Sequence, residues 1–148
     1  MEGILHTPLK PLRVAVLAGG DSAERQISLQ SGAVVAAALA ARGHAVSTVD
    51  PAETSLESFD WNTVDVAFLA LHGTFGEDGS AQLILERHGV VFTGSDSEAS
   101  KLAFSKSAAK ERFALSGIST PEFALVHESD DFSRIIEQAT SIGFPLVV

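Results

Sequence analysis

Short apolar runs alternate with amphipathic stretches along this chain, which predicts strands separated by helices. Val14–Ala18 is an apolar run ending in Gly19-Gly20, the pattern of a buried strand entering a tight turn. Asp21 stands where an N-cap would, and Glu24 three residues later completes a capping-box spacing for a helix reaching about Arg42. Ile27, Val34, Val35, Ala38 and Leu39 make its expected apolar side, and Gly43 its end. Further strands are expected at Ala45–Val49, Val66–Leu71 and Val90–Thr93, with a short helix near Ser80–His88 before the last. Continuous apolar strands alternating with helices predict a parallel sheet covered on both faces, Rossmann-like in the loose sense.

Past Gly94 the texture changes. Helical patterns cover about Glu98–Leu102 and Ser105–Ser116, followed by a Gly-Ile-Ser-Thr-Pro turn. A strand is expected at Glu122–His127, a helix near Asp130–Ile142 and a further strand at Pro145–Val148. A strand made of the last four residues predicts that the chain stops inside a domain.

Composition narrows the classes of function. A length of 148 residues with 45% hydrophobic and 20% charged residues suits a globular domain with a core and excludes an intrinsically disordered one. Ten basic residues against nineteen acidic give a net charge of −9, and no Lys or Arg cluster offers a footprint for nucleic acid. Without cysteine there is neither a disulfide framework nor a thiolate metal site, so the cytoplasm is the expected compartment. The longest apolar run, Ala33–Ala41, is far short of the ~20 residues of a membrane span and reads as a buried helix. Residues 1–12 read as a loose leader rather than a secretory signal.

The candidate chemistry concentrates at His72-Gly73-Thr74-Phe75-Gly76-Glu77-Asp78-Gly79, which places an imidazole, two carboxylates and three glycines directly after the Val66–Leu71 run. Open α/β sheets bind their ligands at that edge. Glu77 or Asp78 could orient the His72 ring and fix which nitrogen faces an anionic group, while Asp78 is better suited to capping the helix that follows. One histidine and two carboxylates could also ligate a metal, though without the paired histidines of a zinc site. Gly19-Gly20 could either expose N–H groups to an anion or simply form a strand-to-helix turn. Glu24 suits a capping box and a ligand contact equally, and Ser28 suits packing against the sheet. Lys106 and Lys110 share a helical face, from which a lysine could reach a phosphate.

Four ordered segments resemble the D-alanine–D-alanine ligase family. They are Val16-Leu17-Ala18-Gly19-Gly20-Asp21-Ser22-Ala23-Glu24-Arg25-Gln26-Ile27-Ser28-Leu29, the His72–Gly79 loop, Phe92-Thr93-Gly94-Ser95, and Lys106 through Gly117-Ile118-Ser119-Thr120-Pro121. The resemblance runs from about Arg13 to Val148. It implies an ATP-grasp enzyme of peptidoglycan precursor synthesis, in which ATP phosphorylates the carboxylate of one D-alanine and the amine of a second attacks the acylphosphate. Carried over by position, it implies that Glu24 holds the ammonium of the first D-alanine and that His72 approaches its carboxylate and the transferred phosphate. By the same resemblance Lys106 contacts ATP phosphates, with Ser28 and Glu77 as supporting groups at the substrate. Ser105 departs from the family's usual aspartate before that lysine, and Phe92 from its tyrosine.

The resemblance also implies a domain plan: 13–104 a Rossmann-like, pre-ATP-grasp substrate domain, and 105–148 the beginning of an ATP-grasp domain. Magnesium ligands and the second D-alanine site are then expected outside the chain, which predicts no ligase activity for these residues alone. D-alanine–D-lactate and D-alanine–D-serine ligases share the same implied domain, and a non-catalytic α/β binding module is the alternative of another class. A homodimer through this domain is implied as well, with no nucleic-acid or membrane partner.

Overall fold

The computed structural model describes residues 10–147; the first nine residues of the expected leader, and Val148, lie outside them. The chain divides into two compact units at the Phe104–Ser105 boundary. The first unit is built on three strands, β1 (Arg13–Leu17), β2 (Ala45–Val49) and β3 (Val66–Leu69), all parallel and ordered β2-β1-β3. Val14 pairs with Val46 on one side and Val66 on the other. The expected fold class, a parallel sheet with flanking helices, is the one observed.

The central strand explains the arrangement. Val14 to Ala18 are all buried, and alternate side chains point to opposite faces. Ala15 and Leu17 join Val49, Leu56, Trp61, Ala67, Leu71, Ala81 and Leu85 in one cluster. Val14, Val16, Ala18 and Ala70 form the other, against Val35, Ala36 and Leu39 of helix α1 (Arg25–Ala41). Complete burial of Leu17 and Leu85 contributes about 1.5–3 kcal/mol each. A run apolar on every residue is therefore two-faced.

Four expectations for this unit are corrected. The face α1 turns to the sheet carries Ser28, Gly32, Val35 and Leu39, whereas Ile27 and Val34 are exposed. Small residues win there because the helix lies so close to β1 that a Cβ on Gly32 would stand 2.3 Å from that of Ala18. For the same reason Ala33–Ala41 is not a buried helix; its outer alanines face solvent. The third strand ends at Leu69, two residues early, where the chain turns away after Ala70 donates to the Leu17 carbonyl. Val90–Thr93 is no strand but a single parallel bridge, Ala67 to Phe92, held by two hydrogen bonds. Helices α2 (Ser80–Arg87) and α3 (Ser97–Phe104) follow, joined where Glu86 accepts from both the N–H and the hydroxyl of Ser97.

At the opposite end of the sheet Arg13 and Asp65 form a forked pair, with Arg13 Nη2 2.6 Å from Asp65 Oδ1 and the Arg13 N–H 2.8 Å from Oδ2. Those bonds hold the Asp65 carboxyl down to about 2.

The second unit carries α4 (Lys106–Leu115) and α5 (Phe132–Ile142). Their starts are written in the sequence: Ser105 Oγ accepts from the Ala108 N–H, and Asp131 from Ser133. The strand expected at Glu122–His127 is extended chain with no pairing, and 145–147 form no strand either. An apolar run becomes a strand only where a neighbour supplies the ladder, and the described residues supply none. Instead Glu122, Phe123, Ala124 and Val126 border a cavity of about 870 Å³ with Ile135, Gln138 and Ile142.

Candidate functional site

The carboxyl ends of β1, β2 and β3 converge on one edge, and three segments meet there: the Gly19–Glu24 turn, Asp50-Pro51, and the His72–Gly79 loop. The capping box expected at Asp21 and Glu24 does not form. A turn, closed by the Arg25 N–H on the Ser22 carbonyl, intervenes, and α1 begins after Glu24, whose side chain makes no cap bond. That frees the carboxylate. It lies over the opposing loop, where a Cβ placed on Gly73 would be 2.6 Å from Glu24 Oε2. Gly73 has φ 69°, a conformation that glycine adopts without steric cost, and a side chain there would meet the Glu24 carboxylate. The two segments are tied nearby, Ser22 Oγ donating to the His72 carbonyl at 2.8 Å.

His72 follows Leu71, which is buried in the core, while its ring is half-buried. Its Nδ1 lies 3.7 Å from Glu77 Oε1 and its Nε2 3.4 Å from Ser31 Oγ. The ring thus sits between an acid on its own loop and a hydroxyl on α1. Hydrogen bonds to its own backbone shape the loop. Asp78 accepts from the N–H groups of Phe75 (3.0 Å) and of Ser80 (2.9 Å), the first residue of α2, from one position before the N-cap, which is Gly79. Burial pushes the Asp78 carboxyl up, but those backbone donors outweigh it and hold it below the ordinary range. Phe75 adopts φ 72°, an uncommon conformation for a bulky residue, and its ring packs on the core.

Gly19-Gly20 binds no anion through its N–H groups, because both are taken. Gly19 N–H donates to Ser28 Oγ at 2.8 Å and Gly20 N–H to Asp50 Oδ1 at 2.9 Å. Ser28 has no exposed surface, and its hydroxyl also donates to the Ala70 carbonyl at 2.7 Å, joining the turn to the end of β3. Its donor and acceptor roles are both filled by backbone. Asp50 further accepts from the Ala52 N–H and from Arg25, with Arg25 Nη2 2.7 Å from Oδ2. Burial raises the Asp50 carboxyl, yet Arg25 and the two N–H groups together bring it below its usual value. Sequence reasoning missed Asp50, Arg25 and Ser22. Asp50 directly follows β2 and precedes Pro51, which was the available signal, since that edge is where the site lies.

A recess of about 420 Å³ opens at this edge, lined by Gly20, Asp21, Ser22, Ala23, Pro51, Thr74 and Phe75. Asp50 is neutralised by Arg25 and Asp78 is spent on backbone, which leaves Asp21 in the lining of the recess and Glu24 and Glu77 on the flanking segments to meet a ligand. Such an edge suits a small molecule carrying an ammonium group. Lys106 belongs to the second unit, exposed at the first position of α4. Its neighbour on that face, Lys110, is engaged within the unit: Nζ donates to Thr120 Oγ1 at 2.9 Å and to the Pro121 carbonyl, and lies 5.0 Å from the Phe123 ring centroid.

Among the described residues no three His, Asp or Glu side chains gather to hold a metal, and no helix is long and apolar enough to cross a membrane. Asp78, turned to the N–H groups of Phe75 and Ser80, does not join His72 and Glu77 in such a group.

No family profile matches the chain. Individual proteins do. It is 42% identical to a D-alanine–D-alanine ligase of Cupriavidus necator over 100% of this chain and 45% of the relative. Among solved structures, D-alanine–D-alanine ligase of Bacillus anthracis complexed with ATP superposes with a TM-score of 0.71 at 28% identity, over 85% of this chain and 44% of that one. The Aeromonas hydrophila ligase gives 0.73 at 26%, over 87% and 55%. The chain thus spans about half the length of the curated relatives it matches. Over its whole length this chain is similar in sequence to the amino-terminal portion of D-alanine–D-alanine ligases, and its fold is shared with their solved structures.

Proposed function

We propose that the sheet edge of residues 13–104 is the binding site for the first D-alanine of an ATP-dependent ligase that makes D-alanyl-D-alanine for peptidoglycan, and that 105–148 open its ATP-grasp domain. The observation that carries this reading is the Glu24 carboxylate, uncapped and set against Gly73 beside His72. A carboxylate in that position pairs with the substrate ammonium. His72, with Glu77 near one ring nitrogen and Ser31 near the other, offers a donor to the substrate carboxylate and to the phosphoryl group it receives.

In the reaction, a D-alanine carboxylate oxygen attacks the γ-phosphorus of ATP, and ADP leaves with the bridging oxygen. The amine of the second D-alanine then attacks the acyl carbon, expelling phosphate and losing a proton. Lys106 supplies charge for ATP phosphates, and the helix start at Ser105 supports it: serine and aspartate cap equally well, so the departure there keeps the local structure. Among the described residues no group of His, Asp or Glu side chains stands together to hold a magnesium ion. The remaining elements of the reading are a cytoplasmic enzyme, a homodimer, and no turnover by these 148 residues alone.

Steady-state kinetics of the full-length ligase carrying this segment test the proposal. Glu24→Gln should raise KM for D-alanine by roughly 100-fold, the loss of a charge-assisted pair worth ~3 kcal/mol, and His72→Ala should lower kcat. Unchanged turnover in both variants would favour a non-catalytic module. Activity with D-lactate or D-serine in place of the second D-alanine would identify the related ligases instead.

A further inference from the structure

We propose that Arg25 and Asp50 are positioning residues for the Glu24 carboxylate, and through it for the ammonium end of the first substrate; this rests on the reading of Glu24 above. The two side chains hold Gly20 at both of its peptide groups. Asp50 Oδ1 accepts the Gly20 N–H at 2.9 Å, and Arg25 Nη1 donates to the Gly20 carbonyl at 2.9 Å while also reaching Asp50 Oδ1 at 3.0 Å. Nη2 closes the fork on Asp50 Oδ2 at 2.7 Å.

Gly20 needs such a grip. Gly19 and Gly20 have φ of 99° and 78°, and consecutive glycines are the most freely moving backbone a chain can have. Glu24 is the last residue before α1 and the immediate neighbour of Arg25, with no cap bond of its own. Its place over Gly73 is therefore inherited from the turn. Asp50 also fills the space a side chain at position 19 would need, an added Cβ lying 2.4 Å from Oδ2. The pair thus ties the β1–α1 turn to the end of β2, while Ser22 ties it to the His72 loop.

An ordinary exposed ion pair contributes about 0–1 kcal/mol and does nothing else. Here the Asp50 side chain is only 11% exposed, and its oxygens are divided among Arg25, Gly20 and Ala52. Arg25→Lys keeps the charge but cannot reach both the Gly20 carbonyl and two carboxylate oxygens.

The test is a set of variants of the full-length ligase: Glu24→Gln, Asp50→Asn, Arg25→Lys and the Glu24→Gln/Asp50→Asn double. Asp50→Asn and Arg25→Lys should each raise KM for the first D-alanine roughly tenfold, about 1.4 kcal/mol, with KM for ATP unmoved. The double variant should be no worse than Glu24→Gln alone, because both act through one carboxylate. A rise for Glu24→Gln with none for Asp50→Asn and Arg25→Lys overturns the inference and leaves the proposed function standing. A lowered Tm without a KM change overturns it equally, marking a purely structural pair. No effect of Glu24→Gln removes the functional reading itself. Should Asp50→Asn fail to fold, Arg25→Lys and its combination with Glu24→Gln carry the same outcomes.

Discussion

Ser28 shows how one hydroxyl can be worth more inside the fold than beside a ligand. It accepts from Gly19 and donates to Ala70, both buried partners. Removing it strands an N–H and a carbonyl away from water, each an unsatisfied group costing about 1–3 kcal/mol. Ser28→Ala should therefore lower the urea-unfolding free energy by roughly 3 kcal/mol, and Ser28→Thr should restore little of it for want of space. Asp65 offers a separate residue-scale measurement. Its folded carboxyl at about 2 lies below the ordinary 3.8, so its stabilising effect is complete above the ordinary value and fades as pH falls from there through 2. An NMR titration should place the midpoint near 2, and Arg13→Gln should move it upward. Both partners are well exposed, so the effect on global stability is small.

Helix α1 makes the corresponding case for elements. Glycine inside a helix ordinarily costs ~1 kcal/mol against alanine, so Gly32→Ala would stabilise an isolated α1. In the fold the added methyl meets the Ala18 Cβ at 2.3 Å, and overpacking of that kind costs about 1–3 kcal/mol. The clash should win, giving a lower Tm for Gly32→Ala. The element also shows what was readable beforehand. Its existence and its end at Gly43 followed from periodicity, but its buried face did not, because apolar Ile27 and Val34 point outward while Ser28 and Gly32 are enclosed. Close approach selects size over hydrophobicity. Pairing separates β1, legible as a continuous apolar run, from Val90–Thr93, which meets β3 only at the Ala67–Phe92 bridge, and from Glu122–His127, which has no pairing strand among the described residues. At the site, the His72–Gly79 loop announced itself by composition. The Arg25–Asp50 pair did not, since it joins residues far apart in sequence through a turn whose geometry only the fold reveals.

At the scale of the whole molecule the two units differ in how much they enclose. Every residue of the two core clusters belongs to the first unit, while neither α4 nor α5 has a buried residue. Backbone hydrogen bonds exposed to solvent open at low free energy. Amide hydrogen exchange should accordingly be slowest in β1 and β3 and fast across α4 and α5; uniform protection across both units would refute this. The acidic balance belongs here too. A net charge of −9 favours solubility, while locally the sheet edge keeps Glu24 and Glu77 available and neutralises Asp50.

Gly73 carries one more implication, for which sequences this site can explore. At φ 69° the backbone alone would accept asparagine, so a survey of conformation would treat position 73 as open to exchange. The neighbour restricts it, because the missing side chain's place is filled by the tip of Glu24, which would have to swing aside. Positions 24 and 73 are therefore coupled: a larger residue at 73 displaces the Glu24 carboxylate from its place over the loop, so a variant that folds unchanged should still bind the ammonium partner less well.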